Sequence, residues 1–314
     1  MARGFRHNGA TTLKQNTVPV MTKPDLGRLG VWTWLEAYPY PDCIALAQRL
    51  ESLGYGALWA PEAFGRDPFV LLTLLARETS RLKLATGIAN IYARDAMAMN
   101  AARRSLQEIS DDRLVLGLGV SHAEIVTPMR HHDYGKPVAT MRAYVAAMNA
   151  ASYAAPLAPQ PVPLILAALR DKMLALAGEV ADGAHPYFVT PEHTARARAI
   201  LGPTKLLAPE QKVLLLKDPS EARRVARKFM ALYLGLQNYR NNLLWLGFEE
   251  SDFEHGGSDR LVDGIVAWGD ATAIHKRIEA HWANGADHVC IQPLRPDGEP
   301  GFDADALTAL APGR

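Results

Sequence analysis

The strongest constraint on this chain is a repeating alternation of short apolar runs with stretches of helical spacing. Leu29-Gly30-Val31-Trp32-Thr33-Trp34 reads as a strand. The helix after it carries Ile44, Ala47, Leu50 and Leu53 on one face and stops at Gly54. Gly56 to Ala60 is a second strand. Asp67-Pro68 then opens a helix, with Asp capping free amides and Pro sitting where its missing N–H does no harm. The pattern continues with strands at 82–89, 113–119, 163–167, 183–187, 212–216 and 287–292. Helices are expected over 95–109, from Pro137 to about Ser152, over 171–181, and after Thr190-Pro191. Asp218-Pro219-Ser220-Glu221 reads as a capping box.

Strands alternating with helices imply a parallel sheet, and eight strands in this length suit a closed (β/α)8 TIM barrel better than an open sheet. Two stretches exceed a minimal repeat. Residues 121–136 read as a polar loop after strand four. Residues 219–270 read as extra helices after strand seven, including 233–248 and the apolar run 261–268. Both are expected as insertions on the barrel ends. The domain reading is a flexible extension over 1–24 and one barrel domain over 25–314.

Composition excludes several classes. Lys plus Arg number 34 against 33 for Asp plus Glu, so a general nucleic-acid or membrane-surface role has no support. No apolar run is long enough to span a bilayer, and the first 28 residues lack the apolar middle of a signal peptide. Cys43 and Cys290 stand far apart, outside any C-x-x-C pattern. They read as core residues of a cytoplasmic protein.

Barrel enzymes carry their sites at the carboxyl ends of the strands. The residues there are Trp34 and Glu36; Pro61, Glu62 and Phe64; Asn90, Tyr92 and Arg94; Val120, Ser121, His122 and Glu124; Leu169, Arg170 and Lys172; and His185 and Tyr187. This aromatic ring with one cationic corner suits a flat aromatic cofactor. No metal is expected, since the most metal-like string, His131-His132-Asp133, reads as a solvated loop. Gly117-Leu118-Gly119 is compatible with close packing and is not a dinucleotide fingerprint. The turn 168–173 is a candidate anion site, because amides at a helix start point at negative charge and Arg170 and Lys172 add to it. An ordinary strand-to-helix turn is the alternative.

At these strings the chain resembles the luciferase-like monooxygenase superfamily, in particular its coenzyme F-420-dependent oxidoreductases. The resemblance covers about residues 27–295. It rests on Leu58-Trp59-Ala60-Pro61-Glu62-Ala63-Phe64-Gly65-Arg66, residues 85–95, Leu116-Gly117-Leu118-Gly119-Val120-Ser121-His122-Ala123, residues 181–187 and residues 286–290.

The resemblance implies a luciferase-like barrel, often a homodimer, acting on a small-molecule substrate. It implies a non-proline cis peptide at strand three that supports the flavin or deazaflavin ring, by position Gly87–Ile88, with Ile88–Ala89 the alternative. Cofactor contacts are then expected from Glu62, Gly87, Ile88, Ala89, Asn90 and Ser121. Leu169, Arg170, Lys172 and Met173 are expected at the phosphate, and Arg94 near the anionic tail.

The chain departs from the deazaflavin dehydrogenase pattern after strand two, where Ala63 replaces a histidine, and after strand four, where His122 stands in place of a glutamate. The proton-transfer candidates become His122 first and His185 second, with Glu62 expected to hydrogen-bond the cofactor or tune a neighbouring group. Trp34, Tyr92 and Tyr187 are expected to line the substrate space.

The expected activity is hydride transfer between coenzyme F-420 and a small organic substrate. The alternatives are an FMN-dependent monooxygenase of the same fold and, because of Ala63, a non-catalytic cofactor-binding barrel.

Overall fold

The computed structural model describes residues 23–312, so the 1–24 extension lies outside the described residues except for Lys23 and Pro24. Lys23 is ion-paired with Asp287 at 2.7 Å. Eleven strands form one parallel sheet: β1 (Leu29–Trp32), β2 (Ala57–Ala60), β3 (Lys83–Thr86), β4 (Ala89–Asn90), β5 (Leu114–Gly119), β6 (Leu164–Leu166), β7 (Gly183–Ala184), β8 (Leu206–Leu207), β9 (Glu210–Leu214), β10 (Val266–Trp268) and β11 (Val289–Pro293). The pairing runs β11–β1–β2–β3–β5–β6–β7–β8, with β4 continuing the β3 line against β5.

The ring closes through residues 206–214. Their lower part bonds β7, with the Ala208 amide donating to the Ala184 carbonyl at 2.9 Å. Their upper part pairs with β11. Pro209, which has no N–H, interrupts the run between β8 and β9. The seventh strand therefore begins at Leu206, not at Lys212 as the apolar run suggested. Glu210 and Lys212 disguised it: both are wholly buried, their charges joined at 2.6 Å.

The helix starts follow their caps. Asp67 accepts from the Phe69 and Val70 amides, Asp95 from Ala98, and Thr190 from His193. Asp218 accepts from Glu221, but the Glu221 carboxylate turns to Arg224, so only half of the expected box forms. The expected polar loop after the fourth barrel strand contains a helix, Ala123–Arg130, between left-handed Ser121 and His131. Its internal Pro128 and polar composition hid it.

The stretch read as one helix over 233–248 is broken at Gly235 into Pro219–Leu234 and Gln237–Trp245. The run 261–268 divides into the end of helix Asp259–Ile265 and β10. Both cysteines are buried and free. No helix among the described residues is long and apolar enough to cross a membrane.

The glycine pair on β5 answers a packing need. A Cβ on Gly117 would stand 2.1 Å from the Thr86 carbonyl oxygen, and one on Gly119 would stand 2.5 Å from Ile88 Cδ1. Strand β5 thus presses its bare backbone against the end of β3. Gly117→Ala should cost about 1–3 kcal/mol through overpacking, read as a lower denaturant midpoint. An unchanged midpoint would contradict this close approach.

Candidate active site

The carboxyl ends of the strands surround one cavity of about 660 Å³. Its backbone shelf is the Gly87–Ile88 link between β3 and β4, and this peptide bond is cis. Both carbonyls of the shelf and the Gly87 amide are held. Trp32 Nε1 donates to the Gly87 carbonyl at 2.6 Å, and the Gly87 amide donates to Ala60 at 2.7 Å. The Glu62 amide donates to the Ile88 carbonyl at 3.1 Å. A Cβ on Gly87 would lie 2.8 Å from the Trp32 indole nitrogen, so the residue must be small for that bond to form.

Glu62 fixes the next step of the chain. Its carboxylate accepts from the Asn90 amide at 2.7 Å and from both Arg94 terminal nitrogens, at 2.5 and 2.9 Å. Arg94 also reaches Asp67 at 2.8 Å and lies over the Phe69 ring. This bidentate pair is nearly buried. Glu62 borders the cavity, but its carboxylate is spent on structure and is poorly suited to carrying a proton.

One wall is aromatic. Tyr187 donates to Gln292 Oε1 at 2.8 Å, so its oxygen takes the Tyr233 hydroxyl proton, also at 2.8 Å. The Lys212 ammonium lies 3.8 Å from the Tyr187 ring centre, with the Phe188, Phe229 and Tyr233 rings around it. Burial pushes the Lys212 pKa down and the Glu210 pKa up, and their contact opposes both shifts. Helix 237–245 closes the roof. Asn238 accepts from Arg170 at 3.2 Å, while the Tyr239 ring packs 5.1 Å from His122.

The two histidines differ. His185 is 1 % exposed, stacks on Trp59, and donates from Nδ1 to the Ala208 carbonyl at 2.7 Å. Burial lowers its pKa to about 4, partly offset by that bond, and Nε2 is sealed without a partner. His122 precedes helix Ala123–Arg130. Its Nδ1 is buried and unpartnered, burial lowers its pKa, and its ring lines the cavity.

At the far end, helix Asp171–Val180 begins with no side-chain cap. Leu169, Arg170, Lys172 and Met173 all border the cavity there.

The cavity therefore gathers Trp34, Glu62, Gly87, Ile88, Asn90, Ser121, His122, His185 and Tyr187 together with the 169–173 turn. Three expected residues stand off its wall. Ala89 is wholly buried, Tyr92 donates to the Tyr134 carbonyl and stacks on that ring, and Arg94 is committed to Glu62 and Asp67. Arg130 and the roof residues Tyr233, Leu236, Asn238, Tyr239 and Trp245 also line the cavity, and none was expected there from the sequence. Spacings of three and four among Tyr233, Leu236, Tyr239 and Leu243 were the available signal.

Residues 25–288 match the family model described as luciferase-like monooxygenase. The chain belongs to that family. An uncharacterized Mycobacterium tuberculosis protein is 35 % identical over 167 residues, 45 % of this chain, and the match spans only 49 % of that protein. A second protein of that organism is 26 % identical over 287 residues, 76 % of this chain and 79 % of its own. Its name assigns it provisionally to the coenzyme F-420-dependent oxidoreductases.

Among solved structures, the coenzyme F-420-dependent tetrahydromethanopterin reductase of Methanopyrus kandleri has TM-score 0.69 at 18 % identity, covering 91 % of this chain and 97 % of its own. An oxygenating monooxygenase component from Pseudomonas putida, in complex with FMN, has TM-score 0.64 at 13 % identity, covering 87 % and 92 %. At these identities the likeness establishes the fold.

The Glu62–Arg94 clamp makes a direct prediction. Arg94→Met should lower stability by about 3 kcal/mol, because a nearly buried carboxylate loses its partner. Chemical denaturation checks this, and a loss below about 1 kcal/mol would show that Glu62 does not need the arginine.

Proposed function

We propose that this barrel transfers hydride between the deazaflavin coenzyme F-420 and a small organic substrate, with the ring on the Gly87–Ile88 shelf and the phosphate at the 169–173 turn. The observation that carries the reading is continuity: one cavity borders both the shelf and the uncapped helix start. Its volume, about 660 Å³, falls within the range of about 300–1,000 Å³ usual for small-molecule sites.

The residues present fit such a group. The first amides of helix Asp171–Val180 have no intrahelical acceptor, and the positive charges of Arg170 and Lys172 outnumber the one carboxylate beside them, that of Asp171. A bound deazaflavin supplies a ring carbon that gives or takes hydride. The chain supplies the remainder. The fixed shelf orients the ring, and Trp34, Tyr187 and Tyr239 keep water from the reacting face.

His122 is the proton carrier. Glu62 is engaged by Arg94, and His185, though on the cavity wall, is almost wholly buried, whereas the His122 ring is only half-buried there. A neutral imidazole takes a proton from a substrate being oxidised and returns it on reduction. Burial lowers the His122 pKa below its ordinary 6.5, so the proton-accepting form persists into mildly acidic solution. The rate of substrate oxidation should be flat above neutral pH and fall as pH drops through an apparent pKa below 6.5.

Fluorescence titration with coenzyme F-420 and, separately, FMN tests the cofactor. Tighter binding of coenzyme F-420 is expected. Binding of FMN alone would replace this reading with a flavin monooxygenase, and binding of neither would replace it with a non-catalytic barrel. His122→Ala should reduce turnover by about 10²-fold or more while leaving cofactor affinity within about twofold. Undiminished turnover would remove His122 from the mechanism.

A further inference from the structure

A third histidine stands behind the anion turn, off the cavity wall. His193, on helix Pro191–Leu201, is completely buried. Its Nε2 lies 2.6 Å from the Leu169 carbonyl oxygen. A carbonyl only accepts, so Nε2 carries the hydrogen and the ring is a neutral donor. Its other nitrogen is buried with no partner, and burial holds the ring's pKa down at about 4.

The bond acts on the anion site through backbone geometry. Leu169 immediately precedes Arg170, whose carbonyl accepts from Met173 and Leu174 at 3.0 Å each and so starts the helix. Leu169 borders the cavity and His193 does not. The bond therefore draws a partly negative carbonyl oxygen away from the cavity and leaves that wall to the amides that follow. Left unheld, this oxygen would be free to turn toward a bound anion and repel it. His193 also meets the edge of Trp245 at 5.8 Å, linking the turn to the roof helix.

We infer that His193 is a positioning residue for anion binding: by holding the Leu169 carbonyl it keeps the start of helix Asp171–Val180 presented to a phosphate. This rests on the phosphate reading of that turn.

The test compares a ribityl deazaflavin with its 5′-phosphate, which differ only in the anion. Wild-type protein should bind the phosphate form at least about tenfold more tightly. His193→Asn, whose shorter amide falls short of the carbonyl, should lose most of that ratio while binding the phosphate-free compound as wild type does. His193→Gln, which reaches Leu169, should keep it. Thermal unfolding of both variants separates folding from binding.

A ratio preserved in His193→Asn, or equal losses for both compounds, would overturn the inference. If His193→Asn does not fold, His193→Gln decides: a lost ratio in that folded variant would count against it. A wild-type ratio near one would instead overturn the phosphate site itself.

Discussion

The barrel mouth is organised around two carbonyl groups, those of Gly87 and Ile88. Each is engaged by a donor of the protein, one by the Trp32 indole and one by the Glu62 amide. With these groups satisfied, the backbone between them becomes a fixed surface, because a polar group already bonded in a low-dielectric interior has little reason to turn. The other devices depend on this surface. Gly117 and Gly119 let β5 press against it, and the Arg94–Glu62 clamp fixes the chain that leaves it.

Charge is distributed unevenly over the site. The deep wall is aromatic, and the Glu210–Lys212 ion pair behind it is enclosed and mutually compensated. His185 is held neutral by burial. Net positive charge, Arg170 and Lys172 against Asp171, gathers instead at the 169–173 turn. A ligand with a neutral flat ring and an anionic end is complementary to that gradient.

Much of this was legible in the sequence for definite reasons. Strand and helix alternation located most barrel elements, and the rule that sites sit at carboxyl ends brought Trp34, Glu62, His122, Arg170 and Tyr187 onto one list. The misses also have causes. Side-chain commitment is a pairwise matter, so nothing in the string showed that Arg94 would close on Glu62 and not face a ligand. Buried charges at Glu210 and Lys212 broke the apolar signal of the seventh strand. The roof helix over 237–245 lies outside the barrel repeat, so the carboxyl-end rule could not reach Tyr239 or Trp245.

A crystal structure of the protein with coenzyme F-420 bound tests the central claim most directly. The tricyclic ring should lie against the Gly87–Ile88 backbone, with phosphate oxygens within hydrogen-bond distance of the amides at the start of helix Asp171–Val180. A ring seated elsewhere in the cavity, or a phosphate directed away from that helix, would contradict it.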